Sequence, residues 1–384
     1  MLRLLLIILL LLVSLFNFVP VPAKELWYTA IAVTEFPWIF IALALGLFLW
    51  SLRARKFRPV SILLSAISFF ILCTPVIGAY SVGSKVDEKL TSSFSVKEKD
   101  VAGFRRSQPF SFFQMFRTTG AKNIPFQTYT YANHAGVELT LNYYPAALPG
   151  KQPCLVEVHG GSWKRGDNSE IAHFNNYFAN AGYHVATINY RLAPAFHSPA
   201  QLEDIHAALL WLKANATRLR IDTGKFVLTG RSAGAQLVLT AAYNGQETGI
   251  KGVAAFYGPT DMWWTYEHPD NKLIMDSRAV QRDFLGGAPT GVPERYTAES
   301  PLLLANASSV PTLLVHGKKD AHVYFEQSVR MSKKLDSLGV KNMLLALPWA
   351  THGCEFNLNG PSGQLSLYSM ERFLYAVCRK DSVL

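Results

Sequence analysis

The sequence predicts an α/β domain, a mostly parallel sheet with helices on both faces, preceded by N-terminal transmembrane helices. Three observations predict it. The first 84 of the 384 residues are apolar and nearly free of charge. From residue 126 onward, short apolar runs alternate with helical segments. The residues able to carry chemistry fall just after those runs, where the strands of such a sheet end.

Composition narrows the function classes. Charged residues make up 17% of the chain, against roughly 25% in a soluble globular protein. Apolar residues make up 49%, enough to bury a large core and to exclude whole-chain disorder. Of the formal net charge of +10, residues 1–84 contribute six basic and two acidic side chains, and the remaining 300 residues carry an ordinary +6. That balance does not indicate nucleic acid as a partner. No P-loop, G-x-G-x-x-G or H-E-x-x-H occurs, so no cofactor or metal is expected. Cys73, Cys154, Cys354 and Cys378 have no zinc-like spacing and are too few for a disulfide framework.

Three apolar stretches occupy the front end: Leu4 to Val19, Leu26 to Leu52 and Val60 to Val82. Each approaches or exceeds the roughly 20 residues of a bilayer-spanning helix. Glu35 and Pro37 interrupt the second, which places Glu35 at the outer interface and the span from about there to Leu52, with Trp38 and Trp50 near its ends. The basic cluster Arg53, Arg55, Lys56 and Arg58 then lies in the cytoplasm by the positive-inside rule. The chain is thereby expected to be multi-pass, with a cytoplasmic N-terminus and its body on the non-cytoplasmic side. The first stretch is alternatively a signal peptide, with Arg3 as its basic region and Val21-Pro22-Ala23 as a cleavage site.

Residues 85–120 read as a linker or cap. Mixed charges give way to Phe104-Arg105-Arg106 and a Phe-rich run to Phe116-Arg117, suited either to a membrane surface or to packing on the domain. The domain itself is expected over 121–384. Phe126–Tyr131 and Val137–Tyr144 alternate as a strand pair around Asn133 to Gly136. Further strands are expected at Cys154–Val158, His184–Asn189, Phe226–Thr229, Gly252–Phe256, Thr312–Val315 and Met343–Leu347. One intervening helix is signed by Ser198 as cap, Pro199 in its first turn, and Leu202, Ile205, Leu209 and Leu212 at helical spacing.

Gly230-Arg231-Ser232-Ala233-Gly234 follows a strand and opens a helical pattern. A sharp strand-to-helix turn holds Ser232 in a strained conformation that needs a glycine on either side, and presents its hydroxyl at the helix N-terminus. A serine hydroxyl needs a base, and the base an orienting carboxylate. Asp320 and His352 both lie in loops after strands, in the order Ser, Asp, His. His322 is the nearest rival base, and Asp261 is the rival carboxylate, read as organising the turn at Tyr257 to Thr260. His159-Gly160-Gly161-Ser162-Trp163 follows another strand. Gly160 and Gly161, with the N–H of Ala233, would supply an oxyanion hole.

From about residue 126 to 380 the chain resembles the α/β-hydrolase fold, specifically the esterase/lipase group similar to hormone-sensitive lipase and to the BD-FAE domain. The H-G-G-x-W motif at His159 to Trp163, Tyr190-Arg191-Leu192-Ala193-Pro194 with Asp204, the G-x-S-A-G elbow, Ser300-Pro301, His316-Gly317 with Asp320, and His352-Gly353 carry that resemblance. It implies Ser232 as nucleophile, Asp320 as orienting acid, His352 as base, and Gly160, Gly161 and Ala233 as oxyanion hole. Two residues depart from the pattern: Ser162 stands for a third glycine, and Gln236 follows the elbow where that group often has glycine. The function implied is a membrane-tethered serine hydrolase cleaving carboxylic esters through an acyl-enzyme, on a small-molecule, lipid or glycan ester. An acyltransferase or surface-glycan deacetylase using the same triad is the alternative. An insertion at about 258–300 with Trp263, Trp264, Tyr266 and Phe284 either builds a lid or pocket or packs onto the body. Asn215-Ala216-Thr217 and Asn306-Ala307-Ser308 are glycosylation acceptors in an exported chain.

Overall fold

Four helices precede the sheet in the computed structural model, which describes residues 1–96, 104–134 and 136–379: α1 (Leu2–Ser14), α2 (Trp27–Glu35), α3 (Pro37–Leu52) and α4 (Arg58–Phe94). Among the described residues, only α4 is by itself long and apolar enough to cross a membrane. The segment Lys24–Glu35 passes that test only together with Pro37–Leu52, from which it is bent by 84°. The buried stripe of α4 runs without a break through Ser61, Ser65, Ser68, Leu72, Pro75, Ala79, Gly83, Val86, Leu90 and Phe94. Steps of three and four keep these residues on one face. Its small first half lets α1 and α3 approach closely, around a cluster of Leu10, Val33, Ala44 and Leu72.

The second half of that stripe corrects the expected linker. Residues 85–94 continue the helix, because Val86, Leu90 and Phe94 recur every four residues and bury against the body of the protein, leaving the charges at 85 and 87–89 on the other sides. Beyond residues 97–103, which lie outside the described part, Phe110 and Met115 pack onto the body, while Phe113 and Phe116 stay exposed.

The body is an eight-stranded sheet in the order β1-β2-β4-β3-β5-β6-β7-β8. The strands are β1 (Gln127–His134), β2 (Val137–Tyr144), β3 (Gln152–Val158), β4 (His184–Ile188), β5 (Ile221–Arg231), β6 (Ile250–Phe256), β7 (Thr312–Gly317) and β8 (Asn342–Leu347). β2 runs antiparallel to β1 and β4, and every other pairing is parallel. Ala135, in the expected β1–β2 turn, lies outside the described residues. β3, β4 and β7 are buried almost throughout, as near-continuous apolar runs require when helices cover both faces.

The covering helices are α5 (Ala172–Asn180), α6 (Ala200–Ala214), α7 (Ala216–Leu219), α8 (Ala233–Tyr243), α9 (Met262–Glu267), α10 (Ser277–Leu285), α11 (Pro293–Ala298), α12 (Pro301–Leu304), α13 (Glu326–Ser337) and α14 (Pro361–Cys378). α6 starts after Pro199 rather than from a Ser198 cap: the Ser198 hydroxyl is taken by Glu299 instead. All four cysteines are free.

Candidate active site

β5 ends at Arg231 and α8 begins at Ala233, so Ser232 makes the whole reversal, at φ 53° and ψ −121°. That conformation is costly for a residue with a Cβ and persists only where its surroundings enforce it. Here the Ser232 N–H donates to the Phe256 carbonyl at 2.9 Å. Gly234 presses against β3 so closely that a Cβ there would sit 2.1 Å from the Val158 oxygen.

Asp320 follows β7 and His352 follows β8. His352 Nδ1 and Asp320 Oδ2 are 2.7 Å apart, and Asp320 Oδ1 accepts the N–H groups of His322 and Val323 at 2.8 and 2.9 Å. Burial alone would raise the Asp320 carboxyl, but His352 and His316 beside it hold it well below the usual carboxylate range. The His352 ring lies 4.4 Å from that of Tyr257, the residue after the Phe256 that anchors Ser232. The carboxyl ends of β5, β6, β7 and β8 thus bring Ser232, Asp320 and His352 to one edge of the sheet.

The rivals occupy other places. His322 meets Asp320 only through its backbone and stacks on His352 with ring centroids 5.0 Å apart. Asp261 caps α9, accepting the Trp264 N–H at 3.0 Å, and pairs with Arg330 at 2.8 Å.

Gly160 and Gly161 lie in the turn after β3, across from the elbow. A Cβ on Gly160 would be 3.4 Å from that of Ser232, and one on Gly161, at φ 103°, would fall 2.1 Å from the Arg165 oxygen. No backbone acceptor takes the N–H of Gly160, Gly161 or Ala233 among the described residues. The turn is braced from behind by Tyr190, whose hydroxyl donates to the His159 and Gly160 carbonyls at 3.2 and 3.3 Å.

The departure at Gln236 has a structural reason. Gln236 Oε1 accepts the Trp163 indole N–H at 2.9 Å, and its Nε2 donates to Glu299 Oε2 at 2.8 Å and to the Thr240 hydroxyl at 2.9 Å. It ties the glycine turn to α8, a role that glycine could not fill. Ser162 turns its hydroxyl toward Met275 Sδ at 3.6 Å.

Nothing in the sequence patterning foreshadowed the part played by residues 21–35. Instead of marking a membrane interface, Glu35 is fully buried in protein. Its carboxyl group accepts the Ser362 N–H at 3.0 Å and the Ser362 hydroxyl at 2.6 Å, satisfying an orphan amide at the N-terminus of α14. Trp27 donates its indole N–H to the His352 carbonyl at 2.8 Å and lies 4.8 Å from the His322 ring. On the other side, Lys24 N–H donates to the Leu273 carbonyl at 3.0 Å, and Val21 and Ala30 pack with Ile274 and Ala321. The segment therefore bridges the His352 loop and the insertion.

A narrow cleft opens beside Ser232, bounded by Ser162, Trp163, Ala233, Trp264 and Tyr324. The insertion supplies one wall. Of its four expected aromatics only Trp264 faces the cleft: Trp263 and Tyr266 pack on Tyr296, and Phe284 stacks on Trp163 at 4.3 Å.

The chain is similar to known ester hydrolases. A probable carboxylic ester hydrolase of Mycobacterium tuberculosis, LipM, is 25% identical over 385 residues, spanning 91% of this chain and 86% of its own. The esterase LipQ of the same organism is 26% identical over 222 residues, 54% of this chain and 52% of its own. A solved esterase of Pyrobaculum calidifontis superposes with a TM-score of 0.59 at 19% identity, over 78% of this chain and 94% of its own, and shares the fold. The BD-FAE family model matches residues 142–335, from the end of β2 through the elbow and Asp320 into α13. With half of its length so matched, and with the elbow, the glycine turn and the Asp–His pair on one sheet edge, this chain belongs to the BD-FAE family of the α/β-hydrolase fold.

Proposed function

We propose that this protein is a membrane-tethered carboxylic ester hydrolase in which Ser232 is the nucleophile, His352 the base and Asp320 its orienting acid. The observation that carries the reading is Ser232 held at φ 53° on a strand-to-helix elbow, with the His352–Asp320 pair on neighbouring strand ends. Ser232 Oγ attacks the ester carbonyl as His352 Nε2 takes its proton. The N–H groups of Gly160, Gly161 and Ala233 receive the developing oxyanion, and Asp320 supports the imidazolium. His352 then gives the proton to the departing alcohol, leaving an acyl-enzyme that water hydrolyses by the same steps in reverse roles. The Ser232 hydroxyl makes no hydrogen bond among the described residues, and the contact with the base is completed as substrate binds.

The test is labelling of the full-length chain in detergent with a fluorophosphonate, followed by peptide mass analysis. The label is expected on Ser232, with release of free acid from p-nitrophenyl butyrate. Label on another serine, or acyl transfer with no free acid, would overturn the reading.

The tether we propose is α3 and α4, joined by the basic loop at 53–58 on the cytoplasmic side, with the catalytic body on the other. Many outward-facing side chains on these helices are large and apolar, among them Leu43, Leu49, Leu63 and Phe70. Arg3 donates to the Lys56 carbonyl at 2.6 Å, so the chain start and the basic loop share one end of the bundle. Lys56→Cys is expected to react with a membrane-impermeant maleimide only after cells are permeabilised. Labelling of intact cells would reverse the orientation.

Trp27 is read as a positioning residue for His352. Trp27→Phe keeps the ring and removes the N–H donor, a loss of about 1 kcal/mol. Expected is a kcat lower by roughly 5- to 10-fold at unchanged KM. A kcat within twofold of the parent would show that the indole bond does not hold the base.

A further inference from the structure

The outward face of α4 changes character at one point. Large exposed side chains run through Leu63, Phe70 and Ile77 to Tyr80, and steps of seven, seven and three keep them on one side of the helix. Beyond Tyr80 the exposed residues are Ser81, Ser84, Lys85, Asp87, Glu88 and Lys89. From Arg58 to Tyr80 a helix rises about 33 Å, close to a hydrocarbon core of roughly 30 Å. On the tether reading above, Tyr80 marks the non-cytoplasmic edge of the bilayer. Trp38, in the first turn of α3, marks it on the neighbouring helix.

A short 3₁₀ turn, Phe112–Phe116, touches both marks. The Phe112 N–H donates to the Tyr80 hydroxyl at 3.3 Å, and the Phe116 ring lies 5.2 Å from that of Trp38. The turn is pinned on both flanks. The Ser111 N–H donates to Gln364 Oε1 at 3.0 Å, and the Ser111 carbonyl accepts from Gln364 Nε2 at 3.1 Å. At the far end, Asn359 Nδ2 donates to the Arg117 carbonyl at 2.5 Å. Phe110 and Met115 bury against the body. Phe113 and Phe116 are nevertheless 74% and 53% exposed, on a segment too well held for fraying to account for them.

We propose that this turn is a further membrane contact, in which Phe113 and Phe116 enter the non-cytoplasmic leaflet beside α3 and α4 and seat the body on the lipid surface. The proposal rests on the tether reading and is independent of the reaction at Ser232. Lipid is the occupant because the turn continues the apolar side of α4: Tyr80, the last member of that row, is the residue it bonds. Aromatic rings at this height place their faces at the boundary between headgroups and acyl chains, and the exposed Arg117 beside them suits phosphate headgroups. The contact also fixes how the body is turned, since Gln364 on α14 and Asn359 just before it hold the turn rigidly to the body.

The experiment attaches a nitroxide to the full-length chain through Phe113→Cys, Phe116→Cys, Phe70→Cys or Leu210→Cys, one at a time. Each carries Cys73→Ser, because the other three cysteines are buried. The chain is reconstituted into vesicles of phosphatidylcholine and phosphatidylglycerol. The readout is the ratio of spin relaxation by oxygen, which concentrates in hydrocarbon, to relaxation by a neutral nickel chelate, which stays in water. Phe70 sets the hydrocarbon value, and Leu210, exposed on α6, sets the water value. Ratios at 113 and 116 at least about threefold above that at 210 are expected. A ratio at either site equal to that at 210, with a high ratio at 70, leaves the tether and overturns the contact. Protection from both reagents, the mark of a covering protein such as a second copy of this chain, also overturns it. A water-like ratio at 70 overturns the tether reading, and the contact with it. Each variant removes one phenyl, so either site decides if the other variant fails to fold.

Discussion

Replacing Ser232 by alanine is expected to lower kcat/KM for any carboxylic ester by at least about 10⁴-fold, with the melting temperature close to that of the parent. The magnitude follows from what remains. Without the nucleophile, His352 and Asp320 have no proton to move, and only binding and the oxyanion hole still act, a residue of catalysis several orders of magnitude below the intact triad. The fold should survive because alanine keeps the Cβ that already stands at φ 53°, and because the Ser232 hydroxyl makes no hydrogen bond among the described residues, so its loss breaks none. Hydrolysis assays beside a thermal melt check both halves. Turnover within tenfold of the parent in a folded variant would remove Ser232 from the mechanism.

The second large effect concerns Arg231, the residue before Ser232. Its side chain is almost fully buried beneath the elbow, 2.6 Å from Glu157 on β3 and 2.6 Å from Glu355 three residues after His352. Its guanidinium lies 4.3 Å from the Phe174 ring centre and 5.0 Å from that of Phe256. Tyr257 donates its hydroxyl to the same Glu355 oxygen at 2.5 Å. The network thus joins the glycine-turn strand, the elbow and the His352 loop. Burial pushes Glu157 up to about 7 even with Arg231 opposing it.

Arg231→Met would leave two buried carboxylates without their cation. Breaking such a network from one side costs about 3–5 kcal/mol, a fall of roughly 6 to 20 °C in melting temperature for a domain of this size. Adding Glu157→Gln and Glu355→Gln should recover part of that loss, since removing a buried ionic network whole is often close to neutral. A melting temperature within 2 °C of the parent in the single variant would show that the network does not hold the body together.

How much of this was legible in the chain differs from element to element. The strands were legible because a parallel sheet covered on both faces needs short, continuous apolar runs, and Cys154–Val158 or Thr312–Val315 can hardly be anything else between helical patterns. The elbow was legible because its geometry admits only glycine at Gly234, so local sterics write themselves into the sequence. Asp320 and His352 could be placed after strands for the same reason: a strand end is a local feature. The helix at residues 85–94 was missed because its charges are dense, and only the packing of Val86, Leu90 and Phe94 reveals which face is buried.

The sequence by itself determined the α/β sheet, the strand-to-helix elbow at Ser232 and the glycine turn, all set by short-range periodicity and backbone sterics. Only the tertiary structure decided what lies far apart in the chain and close in space. Trp27 meets the His352 carbonyl across 325 positions, Glu35 meets Ser362 across 327, and Arg231 finds Glu157 and Glu355 on two other segments. A lone Trp or Glu in an apolar stretch carries no local signal of such a partner. Its burial is paid for by a specific hydrogen bond, and that bond exists only once the sheet has brought the two segments together.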